Sequence, residues 1–329
     1  MINIIYLKKL IRELMKFINN FLNLFTYYIT IELGSKNIRI SKQSGEIIIN
    51  EPSIAFVTQE HKIIAFGLDA LKLKQDSTLN NFTIISTMVG GVIADFEMTK
   101  DMIEYYIKKL YKANRFFKLS INISIPQMTT EKENEELKNY LITNRNIKEV
   151  HFIENIIYAM KRIGNNIGNY IIVDIGAGLT EVGIVSKGKC LNSKSIKIAG
   201  DVLLLSIVKY IRNNFNVAIN TSVAEDIKVQ IGTAIKLDKM LKMEIEGYDI
   251  KENCIIAFGV TSEDIRIAIE QELNKLVSAI QEVIEYVSIN LKINISYDEI
   301  KLIGGGSSLR QINQFIEEKI MIPVRIVDI

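Results

Sequence analysis

Apolar residues recur along this chain with two periods, and the places where each period runs predict its elements. Alternation over Ile29-Thr30-Ile31-Glu32-Leu33-Gly34-Ser35-Lys36-Asn37-Ile38-Arg39-Ile40 predicts a strand, a tight turn and a strand. The same design returns over Ile171-Ile172-Val173-Asp174-Ile175-Gly176-Ala177-Gly178-Leu179-Thr180-Glu181-Val182-Gly183-Ile184. In each, a β-branched run ends in one acid, an apolar residue follows, then Gly with small or polar neighbours. A third run, Ile300 to Ile303, leads into Gly304-Gly305-Gly306-Ser307-Ser308 and a helix through Glu318, with Leu309, Ile312, Phe315 and Ile316 on one side. Helical spacing also places Met102, Ile103, Tyr106, Ile107 and Leu110 inward behind a Thr99 cap. Thr130 with Glu133, and Ser222 with Glu225, have capping-box spacing; Gly200 opens a helix to about Asn213. Thr261 and Asp264 begin a long helix carrying Ile265, Ile269, Leu273, Leu276 and Ile280. Strands and helices alternate in both halves, which implies mixed sheets covered by helices.

The turn residues carry the candidate chemistry. Glycine lets backbone N–H groups approach and aim at an anion, and small neighbours leave room for phosphate. An acid just before such a turn can hold Mg²⁺ or its waters beside the phosphate. A single hairpin of this kind reads first as an ordinary strand turn; the matched pair points to two similar halves facing each other across a nucleotide. Three glycines ahead of a helix likewise suit close approach of a ligand to backbone.

Forty basic and thirty-eight acidic residues give a net charge of +2, so overall charge does not argue for nucleic acid. Cys190 and Cys254 stand outside any CxxC pattern, and His61 and His151 are isolated, which argues for a reducing compartment and against zinc. Residues 1–27 read differently from the rest. Ile4, Leu7, Ile11, Leu14, Ile18, Phe21 and Phe25 form one face, with Lys8, Lys9, Arg12 and Lys16 opposite, a basic amphipathic helix. The uncharged run from Phe17 to Ile31 falls short of the roughly 20 residues of a membrane span, and lysines inside the apolar part make a poor signal peptide. The helix suits the membrane interface; the alternative is packing on the body of the protein or on a partner.

In order and content, these motifs resemble the actin and Hsp70 ATPase superfamily, and within it the MreB family of bacterial actins. The resemblance runs from about residue 28 to the C-terminus and is carried by Asn50-Glu51-Pro52-Ser53, Gly91-Val92-Ile93-Ala94-Asp95-Phe96, Val173 to Gly178, Thr180-Glu181-Val182, Ile198-Ala199-Gly200-Asp201, Ala224-Glu225-Asp226-Ile227-Lys228 and Gly304 to Ser307. It implies an actin-like two-lobed α/β ATPase fold, a duplicated ribonuclease H-like mixed sheet with helices. Lobe I would span residues 28–166 with a small subdomain at about 56–88, and lobe II residues 167–329 with one at about 201–260. It further implies ATP and Mg²⁺ in the cleft, and self-assembly into cytoplasmic, membrane-associated filaments that organise cell shape, with other MreB paralogues as further partners.

Carried across residue by residue, Gly34, Ser35 and Asn37 would form the first phosphate loop, and Gly176, Ala177 and Gly178 the second. Asp174, with Glu32, would hold Mg²⁺ through water. Gly200, Asp201, Glu225, Lys228, Gly304, Gly305, Gly306 and Ser307 would surround the ribose and base. Membrane contact would come from residues 1–26 and the loop carrying Phe116 and Phe117.

The departures are as informative. Glu32 stands where the family has Asp, and Ile38 where it has Thr. Asn155 takes the place of the hydrolytic Glu and Leu179 that of the catalytic Thr. Asn cannot accept a proton from water and Leu cannot hydrogen-bond it, so hydrolysis is expected to slow by about 10²-fold or more, unless neighbouring Glu154 or Thr180 takes over. Family chains usually continue into a helix that returns to the first lobe, whereas this sequence stops at Ile329; the N-terminal helix is one candidate cover for that surface. The alternatives are a pseudo-ATPase that regulates or co-assembles with active filaments and, less in keeping with the motifs, a soluble kinase or a chaperone of the same superfamily.

Overall fold

The computed structural model describes residues 26–76, 81–113, 118–127, 129–164, 168–290, 292 and 295–329. The N-terminal helix reading and the Phe116–Phe117 loop lie outside the described residues.

In the first half, β1 (Thr26–Leu33), β2 (Asn37–Lys42) and β3 (Ile47–Pro52) form an antiparallel meander. The strands β4 (Ile54–Thr58), β5 (Ile63–Phe66) and β6 (Phe82–Ser86) make a small separate sheet beside helix α1 (Gly67–Asp76), and β7 (Met88–Val89) pairs with β8 (Val92–Ile93). Helix α2 (Phe96–Ala113), β9 (Lys118–Ile125), α3 (Glu131–Ile142) and β10 (Ile147–Glu154) complete a five-stranded sheet of order β3-β2-β1-β9-β10, with β9 and β10 parallel to β1. After α4 (Asn155–Ile163) the plan repeats. The strands β11 (Asn169–Ile175), β12 (Thr180–Ser186) and β13 (Lys189–Ile196) form a meander, followed by α5 (Gly200–Phe215), β14 (Val217–Ala218), α6 (Thr221–Ile231), β15 (Lys242–Asp249) and β16 (Cys254–Thr261). Helix α7 (Ser262–Asn290), β17 (Glu299–Ile303), α8 (Ile312–Ile320) and β18 (Val324–Ile326) close a second sheet of order β13-β12-β11-β17-β18. The two sheets thus share one topology, the duplication that the paired hairpins predict.

Each half has its own core. Ile29, Ile31, Ile121 and Ile123 pack on Met102, Ile103 and Tyr106 of α2, while Ile171, Val173 and Leu302 pack on Leu203 and Ile207 of α5 and Ile269 and Leu273 of α7. The other face of β11, through Tyr170 and Ile172, lies against Ile156, Ala159 and Met160 of α4. Buried on both faces, β11 reads as an unbroken apolar run rather than an alternation. Through this separate cluster α4, which follows directly from the first sheet, covers the outer face of the second.

Three local readings need correction. Asp95 caps α2: its carboxylate accepts from the Met98 N–H at 2.9 Å, and Thr99 sits inside the first turn with its hydroxyl on the Asp95 carbonyl. Asn220, not Ser222, caps α6, accepting from the Val223 N–H at 2.9 Å. The glycine triplet does not open α8 directly, because a 3₁₀ turn over Gly305–Ser308 intervenes. Short polar residues compete for the same turn of backbone donors, and sequence spacing alone does not choose among them.

Where α4 crosses β12, a side chain on Gly183 would run into the Ile156 side chain. Gly183→Ala is therefore expected to destabilise the protein by about 1–3 kcal/mol through overpacking, read as a lowered urea midpoint.

Candidate functional site

The two hairpin turns are built alike. The Gly34 N–H donates to the Asn37 carbonyl at 3.1 Å, and the Gly176 N–H to the Leu179 carbonyl at 2.9 Å; a β-carbon on either glycine would lie 2.7 or 2.8 Å from that same oxygen. The first turn is clamped from behind by Ser53, whose hydroxyl donates to the Gly34 carbonyl at 2.7 Å and whose N–H donates to the Lys36 carbonyl at 3.0 Å. Asn37 donates its side-chain amide to Asn50 at 2.8 Å. The Glu51-Pro52-Ser53 segment owes its place to a buried anchor: Glu51 accepts from Tyr106 at 3.0 Å and from Lys109 at 2.9 Å.

The turns meet at Gly178. A β-carbon there would fall 2.5 Å from the Ser35 hydroxyl and 2.8 Å from the Gly90 backbone, so only glycine admits this approach. Ser35 in turn accepts from the Gly91 N–H at 2.8 Å. The Gly90-Gly91 turn is thus part of the site, although sequence reading placed it only as a motif. Its sequence signal is the pair of adjacent glycines, which the structure places at positive φ between short strands.

The acids before the turns occupy equivalent positions with unequal neighbours. Glu32 pairs in register with Arg39, whose guanidinium is 4.0 Å from its carboxylate, whereas Asp174 pairs with Glu181. Burial raises the Glu32 pKa, partly countered by Arg39 and Arg162. Burial, then the charges of Glu181 and Glu32, push Asp174 up to about 7. A cation beside Asp174 would relieve that repulsion. Among the described residues no group of three or more His, Cys, Asp or Glu is arranged to hold a metal directly.

Around these turns lie the remaining predicted residues. Ile303 neighbours Asp174 in the parallel ladder, so Gly304, at φ +81°, arrives over the Asp174 carboxylate, where any side chain would collide with it. Gly305 faces open space, Gly306 covers Ile175, and the Ser307 hydroxyl donates to the Gly304 carbonyl at 2.7 Å, shaping the turn. Helix α5 begins on the second turn: the Gly200 N–H donates to the Gly176 carbonyl at 3.1 Å and the Asp201 N–H to the Ala177 carbonyl at 2.7 Å. On α6, Glu225 binds Lys228 at 2.9 Å and also Lys36 of the first turn at 2.9 Å.

The substituted positions are engaged elsewhere. The Asn155 oxygen accepts from Ser124 at 2.6 Å, and its amide donates to Glu181 at 2.6 Å. Glu181, buried, also accepts from Ser195 at 3.2 Å and from the Gln127 N–H at 3.3 Å; burial raises its pKa despite these bonds. Leu179 is buried against Gly91. The Thr180 hydroxyl donates to the Ile198 carbonyl at 2.6 Å, and Glu154 is exposed, with Ser193 at 3.5 Å. Glu181 and Lys36 are among the residues around the site whose roles the sequence does not indicate. For Glu181 the signal was an acid between Thr180 and Val182 in a strand that is otherwise buried.

With this geometry in hand, comparison with known proteins is specific. The family described as MreB/Mbl protein matches residues 26–329. The cell shape-determining protein MreB of Haemophilus influenzae is 31% identical over 318 residues, covering 93% of this chain and 90% of that protein. The cell shape-determining protein Mbl of Bacillus cereus is 31% identical over 311 residues, covering 93% and 92%. Among solved structures, MreB5 of Spiroplasma citri bound to ADP superposes with a TM-score of 0.82 at 28% identity, over 92% of each chain. The MamK double helical filament, at 16% identity and a TM-score of 0.73 over 92% of this chain and 94% of that one, shares the fold. The fold is the actin-like one, and the chain belongs to the MreB/Mbl family.

Proposed function

We propose that this protein binds ATP with Mg²⁺ between two lobes, residues 28–166 and 167–329, and assembles into membrane-associated filaments that determine cell shape, with hydrolysis weak or lost. The observation that carries the reading is the closure of two like-built turns on one another at Gly178, Ser35 and Gly90. Such a pair presents backbone N–H groups from both halves to one anion. The relatives are cell shape-determining proteins, and MreB5 of Spiroplasma citri is solved with ADP and, at a TM-score of 0.81 and 29% identity, with AMPPNP.

In this reading Gly34, Ser35, Asn37, Gly176, Ala177 and Gly178 hold the phosphates, and Asp174 and Glu32 hold the waters of Mg²⁺, which would neutralise phosphate charge. Asp201, Glu225, Lys228 and Gly304 to Ser307 line the ribose and base. Slow hydrolysis follows from how the chain spends its polar groups. Asn155 has its oxygen committed to Ser124 and an amide hydrogen to Glu181, so it offers no base to a water. Glu181 already accepts three hydrogen bonds, Leu179 is an apolar contact, and Thr180 is turned onto the Ile198 carbonyl. The same saturation supports a second reading, a pseudo-ATPase that co-assembles with or regulates active filaments of paralogues. Residues 1–26, with Phe116 and Phe117, supply the membrane contact by their basic amphipathic sequence. No helix among the described residues is long and apolar enough to cross a membrane.

Sedimentation of the purified full chain with ATP, AMPPNP, ADP or no nucleotide, with and without anionic vesicles, is the direct test. Pelleting is expected with ATP and AMPPNP alike, and enhanced by vesicles. Solubility in every condition would remove the homopolymer reading and leave the regulator. Phosphate release should run about 10²-fold or more below an active family member, and the double variant Asn155→Glu, Leu179→Thr should raise it; equal rates in the unaltered chain and the active relative would sink the weak-ATPase reading. Gly178→Ala should push the turns apart and weaken ATP binding about tenfold or more, the scale of a steric insertion costing 1–3 kcal/mol, measured by calorimetry.

A further inference from the structure

Lys36 sits at the tip of the first turn, yet its side chain leaves the phosphate side and crosses to the other half of the molecule. Its backbone is held, since the Lys36 carbonyl accepts from the Ser53 N–H at 3.0 Å and the Gly34 to Asn37 hydrogen bond closes the turn. The ammonium lies 2.9 Å from the Glu225 carboxylate on α6, far away in sequence. Glu225 is pre-set to receive it. Lys228, whose side chain is only 15% exposed, holds the second carboxylate oxygen at 2.9 Å. Burial works against the charged form of Glu225, but the bonds from Lys228 and Lys36 outweigh it and keep its pKa below the usual range. Asp201, at the start of α5, lies within the field of the same two lysines.

Besides the approach at Gly178, the halves touch at one buried and one exposed polar contact. At the floor, buried Glu181 of the second sheet receives Asn155 and Gln127. At the mouth, Lys36 reaches Glu225 with its side chain 63% exposed. The buried contact has several hydrogen bonds, while an exposed ion pair of about 0.2–1 kcal/mol can open and close.

We propose that Lys36 is a nucleotide-retaining residue, a strap that pairs with Glu225 across the mouth of the cleft and slows nucleotide departure. This rests on the nucleotide reading above. The test is the rate at which bound ADP leaves the full chain when chased with excess nucleotide. Lys36→Ala should release ADP about 2- to 5-fold faster, the range an exposed ion pair supports. Lys36→Arg should restore the slow rate, and Lys36→Glu should be faster than Lys36→Ala because a like charge then faces Glu225. Added salt should speed release from the unaltered chain more than from Lys36→Ala. Without nucleotide, amide exchange over 34–37 and 221–231 should quicken in Lys36→Ala at an unchanged unfolding midpoint. Equal release from Lys36→Ala and the unaltered chain would overturn the strap alone. So would acceleration for ADP but not for AMP, which would make Lys36 a direct phosphate ligand. If the unaltered chain retains no ADP at all, the nucleotide reading itself fails and the strap with it.

Discussion

The close approach of backbone to backbone at Gly178 is the constraint around which the site is arranged. Two sheets of identical topology can face one another in many ways, but two tight turns can share one anion only if nothing bulky stands between them. Gly178 leaves room for the Ser35 hydroxyl and the Gly90 backbone, and Ser35 then anchors the Gly90-Gly91 turn. The internal Gly34 to Asn37 and Gly176 to Leu179 hydrogen bonds hold each turn rigid, so the approach is set by the strands behind it. Ser53, Gly200 and Asp201 are tied to the turns by hydrogen bonds, and Gly304 reaches the second through Asp174.

The electrostatics of the cleft are lopsided in a way that the shared topology conceals. On the first sheet the acid faces an arginine across the hairpin; on the second it faces another acid. Burial already disfavours charge on Asp174, and Glu181 adds to that. Asn155 offsets part of this burden by donating to Glu181 at 2.6 Å. A carboxylate at position 155 would add a third negative group beside a buried one, at a cost that a neutral amide avoids. The neutral amide of Asn155 thus eases the charge of its surroundings.

Much of this was legible in the chain. The paired hairpins, the long helix after Thr261 and the triple glycine are local patterns, set by side-chain periodicity and by which residues tolerate a tight turn. They suffice to predict a duplicated α/β fold and the glycine turns of its site. Cap identities were less legible, since Asp95, Thr99, Asn220 and Ser222 are all competent acceptors.

The sequence by itself determined the elements, the doubling and the chemical types available at the turns, because these depend on neighbours within a few residues. Only the tertiary structure decided how polar groups far apart in sequence share one another. It sends Asn155 to Glu181, Thr180 to the Ile198 carbonyl and Lys36 to Glu225. Those partners are chosen by which strands and helices are brought together, and a hydrogen bond formed across the cleft leaves no periodic trace in the chain.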